Sequence, residues 1–268
     1  MRHKLKLFKP LRSQLKLWEK LCRVKYRRQE GLFLAEGLKV VQALLKSEWE
    51  FGAVLVKENN VKHLENFLST VPDEIEIYGL KEKEWEKLTQ DETPEGIMAV
   101  VAIPQSEGLT EFLAKDDPGN LLLLYRISNP NNLGAVIRTA HWFGVREILL
   151  SAGSVDFTNY KVVRSAMGSL FHTTIIPEID FMEVLPRIKE RYFLVGSDSR
   201  KGVNPHPCGK RTALLLGSES HGLPDPLLDI TDEQWCIPGS EDADSLSLPQ
   251  AAAIVIYELN KHVLRFQK

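Results

Sequence analysis

The sequence is poor in cysteine and contains no long hydrophobic run. Its 268 residues include three cysteines, Cys22, Cys208 and Cys236, which lie far apart. An odd and sparse set argues against a disulfide framework and is typical of a reducing, cytoplasmic compartment. No apolar segment approaches the ~20 residues that a membrane helix needs, and the basic N-terminus lacks the apolar core of a secretory signal. The sequence therefore predicts a cytoplasmic protein with no membrane partner.

Common cofactor and metal motifs are also missing. There is no G-x-G-x-x-G and no Walker P-loop, so dinucleotide and nucleoside triphosphate sites lack their usual support. The stretch around Ser220 does not match a G-x-S-x-G nucleophile elbow, because Ser218 stands two residues before it. His206 and Cys208 form an isolated pair of metal-ligand types, for which a solvated loop is the simpler interpretation. No metal is predicted.

The charge is nearly balanced overall but unevenly distributed. The formal net charge is −2, yet residues 1–28 hold eleven Lys and Arg against one acid, which leaves −12 for the remainder. A basic arm on an acidic body favours a polyanionic partner that is bound through its phosphates. A solvated helix face is the alternative.

Strand-like and helix-like segments alternate along the chain, which predicts an α/β fold. The pattern divides into a smaller N-terminal α/β domain (1–103), a polar linker (104–120) and a C-terminal domain (121–268) with five or six parallel strands. A single helix is predicted over residues 11–30, and a final helix over residues 248–266.

Three loops after strands of the C-terminal domain share a composition of small polar residues. They are SNPNNLG after strand 121–127, GSESHGLP after strand 212–216 and PGSEDADSLSLP after strand 233–237. Ligands of parallel sheets bind at the carboxyl ends of the strands, and glycine allows close approach of the backbone. The third loop also reads as a helix start, because Ser247 and Gln250 have capping-box spacing.

These loops carry three spaced motifs. Residues 129–140 (NPNNLGAVIRTA) follow N-P-x-N-x-G-x-x-x-R-T-A, residues 217–223 (GSESHGL) follow G-x-E-x-x-G-L, and Ile237-Pro238 precedes Ser245-Leu246-Ser247. With KVVRSAMGSLF (161–171), they resemble the SpoU (TrmH) family of RNA ribose 2′-O-methyltransferases, over residues 121–259. The N-terminal half resembles the family's L30e-like substrate-binding domain, at residues 25–45 and 93–101.

The resemblance implies a trefoil-knotted C-terminal domain, a homodimer formed through that domain, S-adenosylmethionine as cofactor, and rRNA or tRNA as partner. The residues implied to be catalytic are Arg138, Asn132, Glu219 and Ser245. Those implied to bind the cofactor, largely through the main chain, are Leu216, Gly217, Ser218, Glu219, Gly222, Ile237 and Leu246. Those implied to bind RNA are Arg27, Arg28, Glu36 and Arg164.

Several of these residues also have a purely structural interpretation. Asn132 could cap the helix that carries Arg138, and Glu219 could cap a following helix. In the functional interpretation, Glu219 holds Asn132, Arg138 or the substrate in place. A guanidinium keeps its proton, so Arg138 is better suited to hold a phosphate and stabilise a forming alkoxide than to act as a base. Arg164 could face RNA or merely a carboxylate.

The sequence also contains two histidines near the motifs and one departure from the family pattern. His141 and His221 are interpreted as structural. Ser247 stands where the family has asparagine, beside Glu241, Asp242 and Asp244. The alternative function is therefore a non-catalytic RNA-binding or assembly factor on the same scaffold.

Overall fold

The computed structural model describes residues 5–105, 108–114, 119–240, 242 and 245–264. The chain divides into two compact units. The first comprises Met1–Gln105 and Thr158–Phe171, and the second comprises Ser106–Phe157 and His172–Lys268. Within the described ranges, no helix has the length and apolar character needed to cross a membrane.

The described residues form eleven strands in two sheets. In chain order they are β1 (Leu7–Phe8), β2 (Leu32–Glu36), β3 (Phe51–Lys57), β4 (Glu76–Leu80), β5 (Ile97–Ala102), β6 (Leu121–Leu124), β7 (Glu147–Ser151), β8 (Thr174–Ile179), β9 (Phe193–Ser197), β10 (Thr212–Leu216) and β11 (Glu233–Trp235).

The described helices accompany these strands. They are α1 (Arg12–Leu21), α2 (Val24–Glu30), α3 (Leu38–Leu44), α4 (Val61–Leu68), α5 (Glu82–Trp85), α6 (Leu109–Ala114), α7 (Pro130–Trp142), α8 (Tyr160–Ala166), α9 (Phe181–Lys189), α10 (Asp225–Leu228) and α11 (Leu248–Asn260).

The first unit contains a mixed five-stranded sheet. Its order is β1-β4-β3-β5-β2, with β1 and β3 parallel to β4 and with β5 antiparallel to both β2 and β3. Trp18 and Leu21 of α1 are buried in the core below this sheet, together with Trp85 and Met98. Helix α8 packs against β2 and so belongs to this unit.

The predicted single helix over residues 11–30 is wrong, because the chain breaks at Arg23. That residue is extended (φ −111°, ψ 131°) and begins α2 as a separate helix. The break turns Arg27 inward, where its Nη1 donates to the carbonyl of Leu21 at the end of α1 (3.2 Å). A cation at this position satisfies a carbonyl that the helix itself leaves unpaired.

The second unit confirms the predicted parallel α/β fold. Its six strands are ordered β11-β9-β10-β6-β7-β8, and all neighbouring pairs are parallel. The central strands β6 and β10 are fully buried, as expected of strands covered on both faces. The final helix α11 is shorter than predicted and ends at the buried Asn260, whose Nδ2 donates to the carbonyl of Ile256 (3.2 Å).

Candidate active site

The site lies where two neighbouring parallel strands end. Strands β6 and β10 pair in register, with Leu124 opposite Leu216. The N–H of Tyr125 then donates to the carbonyl of Leu216 (2.9 Å), which extends the ladder by one residue. Because the strands are parallel, the loops that follow them leave from the same edge of the sheet.

Asparagine begins the helix after β6, but at a different position from the one considered in the sequence. The N-cap of α7 is Asn129, whose Oδ1 accepts from the N–H groups of Asn131 (2.9 Å) and Asn132 (3.4 Å). Pro130 occupies the first turn, where no N–H donor is needed. Asn132 therefore does not cap the helix, and its side chain is available for another partner.

That partner is Glu219 in the loop after β10. The Nδ2 of Asn132 donates to Oε1 of Glu219 over 2.7 Å. An amide that donates to a carboxylate forms a charge-assisted hydrogen bond, which is stronger than a neutral one. The bond ties the first loop to the second and fixes the orientation of both side chains.

Arg138 stands further along the same helix. It is exposed, whereas Leu133, Val136 and Ile137 of α7 are buried in the core. It follows Asn132 by six residues, or ~9 Å along the helix axis. Within the described part of the chain, no hydrogen bond or ion pair is recorded for its guanidinium, so the charge is available to a ligand.

The loop after β10 is a tight turn that requires glycine. A Cβ placed on Gly217 would lie 2.2 Å from the carbonyl carbon of Gly222. The N–H of Gly222 donates to the carbonyl of Ser218 (2.9 Å), and Gly222 itself is left-handed (φ +63°) with open space where its Cβ would be. Main-chain groups thus form this wall of the site.

The third loop follows β11, which is separated from β10 by β9. Ile237 is half-buried, Ser245 is exposed, and Leu246 has 48% of its surface exposed. The Gln250 side chain accepts from the N–H of Ser247 (3.1 Å), which forms the Gln250 half of the predicted capping box.

The helix that begins at this third loop packs on the helix of the first loop. Helix α11 contacts α7, where the Tyr257 and Phe143 rings lie 5.6 Å apart. Of the acidic residues in the loop, Asp242 is exposed and a hydrogen bond from Ser240 lowers its pKa. Glu241 and Asp244 lie outside the described residues.

The two histidines interpreted as structural, His141 and His221, have different surroundings. The rings of His141 and His172 are stacked 4.9 Å apart with an interplanar angle of 19°. Burial lowers the pKa of His141, and the nearby His172 and Arg146 lower it further. His221 is exposed, and its N–H lies 3.4 Å from the Ser218 hydroxyl.

The predicted RNA-binding residues of the first unit have unequal surroundings. Arg27 is only 5% exposed, and its Nε donates to the Thr158 hydroxyl (2.9 Å), an arrangement that favours a structural role. Arg28 is exposed. Arg164 binds a carboxylate, that of Asp91, at 2.5 Å, and 58% of its side chain remains exposed.

Glu36 is half-buried. Its Oε1 accepts from the Thr89 hydroxyl (2.7 Å) and its Oε2 from the N–H of Gln90 (3.4 Å). Burial raises the pKa of Glu36 despite these hydrogen bonds. The sequence signals no partner for it, because Thr89 and Gln90 lie more than fifty positions away.

The composition of the second-unit loops is compatible with S-adenosylmethionine. Gly217 and Gly222 offer main-chain groups without side chains, and the exposed Leu246 and half-buried Ile237 are apolar surfaces suited to an adenine ring. Within the described ranges, no group of three or more His, Cys, Asp or Glu side chains is arranged to hold a metal ion.

The fold and these loops are typical of a class of protein: a parallel-sheet α/β enzyme. Here glycine-rich loops and an Asn–Glu pair follow the carboxyl ends of the strands, and an exposed arginine stands on the helix after β6. The chain belongs to the SpoU rRNA methylase family, whose family description matches residues 119–257. Residues 12–99 match the MRM3-like substrate-binding domain.

Named relatives are similar over nearly the whole chain. The 23S rRNA (guanosine(2553)-2′-O)-methyltransferase RlmP of Bacillus subtilis is 32% identical over 250 residues, which is 92% of this chain and 96% of that protein. The 23S rRNA (uridine(2479)-2′-O)-methyltransferase of Streptomyces viridochromogenes is 26% identical, over 92% of this chain and 88% of that protein.

Solved structures resemble the chain equally well. The AdoMet-bound rRNA methyltransferase of Sinorhizobium meliloti is 26% identical with a TM-score of 0.80, covering 97% of this chain and 99% of that one. The SpoU methyltransferase AviRb of Streptomyces viridochromogenes shares the fold, with a TM-score of 0.82 at 24% identity over 94% of this chain and 98% of that one. The chain is thus an S-adenosylmethionine-dependent RNA ribose 2′-O-methyltransferase.

Proposed function

We propose that this enzyme methylates a ribose 2′-hydroxyl of large-subunit ribosomal RNA and that Arg138, Asn132 and Glu219 form its reaction site. The ribosomal target is supported by the relatives named above, which act on 23S rRNA. Ribosomal RNA as substrate also supports a cytoplasmic location. The main observation that supports this reaction site is the hydrogen bond between Asn132 and Glu219. It joins the loop after β6 to the loop after β10, and the helix of the first loop carries the exposed Arg138.

Arg138 is proposed to act on the RNA rather than on the cofactor. A guanidinium keeps its charge and presents a rigid fork of donors, which suits a phosphate oxygen and the negative charge that forms on the attacking 2′-oxygen. Among the described residues, no carboxylate forms an ion pair with Arg138, which leaves its charge available to RNA.

The Asn132–Glu219 pair is proposed to position the substrate ribose. Each carboxylate oxygen has two acceptor sites and the amide has two donors, so both groups retain capacity after bonding to each other. Their shared hydrogen bond restricts the rotamers of both side chains. Alignment of a nucleophile can supply several kcal/mol of a displacement barrier.

The cofactor is proposed to bind on the main chain of residues 216–222, with Ile237 and Leu246 beside its adenine and Ser245 at the rim. When bound, S-adenosylmethionine would supply an electrophilic sulfonium methyl group for the 2′-oxygen. The buried Leu216 contributes through its backbone, although its carbonyl is paired with Tyr125.

RNA is also proposed to bind the basic N-terminal segment of the first unit. Eight lysines and arginines between residues 5 and 28 are exposed: Lys6, Lys9, Arg12, Lys16, Lys20, Arg23, Lys25 and Arg28. The only acid of the segment, Glu19, is paired with Lys87 (3.0 Å). A dense set of exposed cations favours binding to phosphates.

A homodimer through the C-terminal domain is proposed from an exposed apolar surface. Trp142 at the end of α7 is 70% exposed, and Ile254 and Tyr257 of α11 are 38% and 46% exposed. Large apolar side chains clustered on two packed helices are typical of a protein interface. The trefoil knot stays a prediction from the family.

A non-catalytic RNA-binding role is the second candidate, and Ser247 is the observation that favours it. Serine begins α11 adequately, with Gln250 bonded to its N–H, but it lacks the paired donor and acceptor of an amide. The Asn132–Glu219 bond and an exposed Arg138 with no ion pair among the described residues favour catalysis instead.

Labelled methyl transfer separates these alternatives. The purified protein is incubated with S-adenosylmethionine carrying a labelled methyl group and with unmodified 23S rRNA, 16S rRNA or tRNA transcripts. The proposal predicts label in 23S rRNA at one ribose. Calorimetric binding of RNA without binding of S-adenosylmethionine would instead support the non-catalytic factor.

A further inference from the structure

The first unit contains a cavity that the methyl-transfer chemistry does not use. It has a volume of about 340 Å³, at the lower end of the ~300–1,000 Å³ typical of small-molecule sites. Its polar lining includes Glu36, Asp91, Glu95 and Arg164, and its apolar lining includes Val40 and Met167. All these residues belong to the first unit.

Acids outnumber bases in this cavity. Three carboxylates, those of Glu36, Asp91 and Glu95, face two cations, Lys39 and Arg164. One of the cations is already committed, since Arg164 pairs with Asp91 at 2.5 Å. A phosphate would therefore meet excess negative charge, whereas a neutral group rich in hydrogen-bond donors would be attracted.

The carboxylates are held in place but retain free acceptors. Glu95 Oε2 accepts from the N–H of Leu38 (2.6 Å), and Asp91 Oδ1 accepts from Arg164 and from the N–H of Thr93 (3.3 Å). Among the described residues, the second oxygen of Asp91 and that of Glu95 have no recorded hydrogen bond. Glu36 accepts one hydrogen bond on each oxygen, which leaves a lone pair on each.

The other lining groups suit the flat face of a base. Single-stranded RNA is commonly read by unstacked bases that lie on an arginine plane and present their Watson–Crick edge to side chains. Arg164 is oriented by Asp91. Met167 is in the left-handed region (φ 50°), and the next residue, Gly168, packs so closely on α3 that a Cβ there would lie 2.3 Å from Ala43.

We propose that this cavity binds an unpaired guanine of the RNA substrate and reads its Watson–Crick edge with Glu36. This inference rests on the proposed function, because it names a second nucleotide that the enzyme contacts. Guanine alone presents two adjacent donors, N1–H and the 2-amino group, which match the two oxygens of a carboxylate. The Watson–Crick edges of adenine, cytosine and uracil each place at least one acceptor against the carboxylate.

The stability of Glu36 variants separates this role from a structural one. Burial raises the pKa of Glu36, so its ionised form lowers the stability of the folded protein at neutral pH. A Glu36→Gln variant keeps an oxygen for the Thr89 hydroxyl but turns its NH2 towards the N–H of Gln90, so its unfolding temperature is measured and binding is compared where the variant is folded. Any loss of binding then reflects recognition and not unfolding.

The test compares GMP, IMP and AMP binding to the full-length protein at saturating S-adenosylmethionine, which keeps the cofactor site filled. The three ligands carry the same phosphate, so any repulsion between it and the carboxylates of the cavity is common to all three, and IMP lacks only the 2-amino group of GMP. Wild type should bind GMP about tenfold more tightly than IMP, as expected for one lost hydrogen bond of ~1.4 kcal/mol. It should bind AMP more weakly still, because adenine lacks the 2-amino group and has an acceptor at N1.

Four variants complete the test. Glu36→Gln should bring the three affinities within about twofold of one another, and Thr93→Trp should block the cavity while it keeps the main-chain bond to Asp91. Thr93→Ala controls for the loss of the threonine, and Glu65→Gln removes an exposed carboxylate of α4 elsewhere on the unit. Both controls should keep the guanine preference.

Equal binding of the three monophosphates by wild type overturns the proposal, and so does a guanine preference that persists in either Glu36→Gln or Thr93→Trp. Methyl transfer to rRNA by wild type is measured in parallel. If wild type methylates rRNA but shows no preference for GMP, only the guanine site is contradicted. If wild type prefers GMP but does not methylate rRNA, the proposed function is contradicted and the guanine site is not.

Discussion

The Nδ2 of Asn132 lies 2.7 Å from Oε1 of Glu219, although 87 positions separate the two residues in the chain. The contact arises because β6 and β10 are neighbours in the sheet and end in register. The hydrogen bond links the loop after β6 to the loop after β10. A double-mutant cycle tests whether the two side chains act as a unit.

In that cycle, Asn132→Ala and Glu219→Ala should each lower kcat at least ~10-fold, and the double variant should be little worse than either, because coupled residues are not additive. Glu219→Gln keeps an acceptor for Asn132 and should retain more activity than Glu219→Ala. Steady-state kinetics with rRNA provides the measurement. Fully additive losses would show that the two side chains work independently.

The glycine turn gives a prediction about cofactor binding. Gly217→Ala would place a Cβ 2.2 Å from the backbone of Gly222, and such overpacking costs ~1–3 kcal/mol. Calorimetry should record a corresponding loss of affinity for S-adenosylmethionine. Gly108→Ala is the matched control, since no heavy atom lies within 4 Å of its added Cβ. Unchanged affinity in Gly217→Ala would remove this turn from the cofactor site.

The basic face of α1 gives a prediction about salt dependence. Arg12, Lys16 and Lys20 are exposed and spaced four residues apart, so they share one side of the helix. Replacing all three with glutamine should weaken RNA binding and flatten the slope of log K against log salt by about 0.7–0.9 per lost phosphate contact. Lys46, Lys62 and Lys83, also exposed on the first unit, provide a triple control of equal charge.

Substitution is a better test of this face than truncation. Leu7 and Phe8 form β1, which pairs with β4, so removal of the first ten residues would also remove a strand of the sheet. A salt slope that is identical in the α1 triple variant and in wild type would mean that this face is only solvated surface.

His141 gives a prediction about pH. Its pKa is lowered below the ordinary 6.5 by burial beside His172, so the unfolded chain takes up this proton before the folded chain does. His141 should therefore have no effect on the free energy of unfolding well above pH 6.5. The free energy of unfolding should fall as the pH drops through 6.5 towards the pKa of His141 in the folded protein.

Urea unfolding between pH 7.5 and 5 compares wild type with His141→Gln. The variant, which cannot take up this proton, should lose less stability over the same range. An equal loss in both proteins would contradict the assignment to His141.

Much of this picture could be predicted from the sequence. Loop composition and strand alternation predict the parallel sheet of the second unit, because continuous apolar runs such as that of β6 are typical of buried strands. The sequence offers Asn132, Arg138 or the substrate as the group that Glu219 holds, and the structure pairs Glu219 with Asn132. Local capping chemistry correctly predicts that Gln250 reaches back to Ser247.

Other features depend on distant contacts and could not be predicted. Asn129 and Asn132 are both good caps, and only the hydrogen bond to Glu219 distinguishes them. The break at Arg23 depends on the inward turn of Arg27 towards Thr158, 131 positions away. The cavity around Glu36 depends on α8, which periodicity alone assigns to the following domain.

The central claim is that Arg138 serves methyl transfer to a ribose and does not bind the cofactor. The most direct measurement maps alkali-resistant linkages in unmodified 23S rRNA after incubation with S-adenosylmethionine and either wild type or Arg138→Ala, with cofactor affinity measured on both proteins. The account predicts one resistant linkage with wild type, a rate ~10²–10³-fold lower in the variant, and equal cofactor affinity. No resistant linkage with wild type, or a fully active Arg138→Ala, would contradict it.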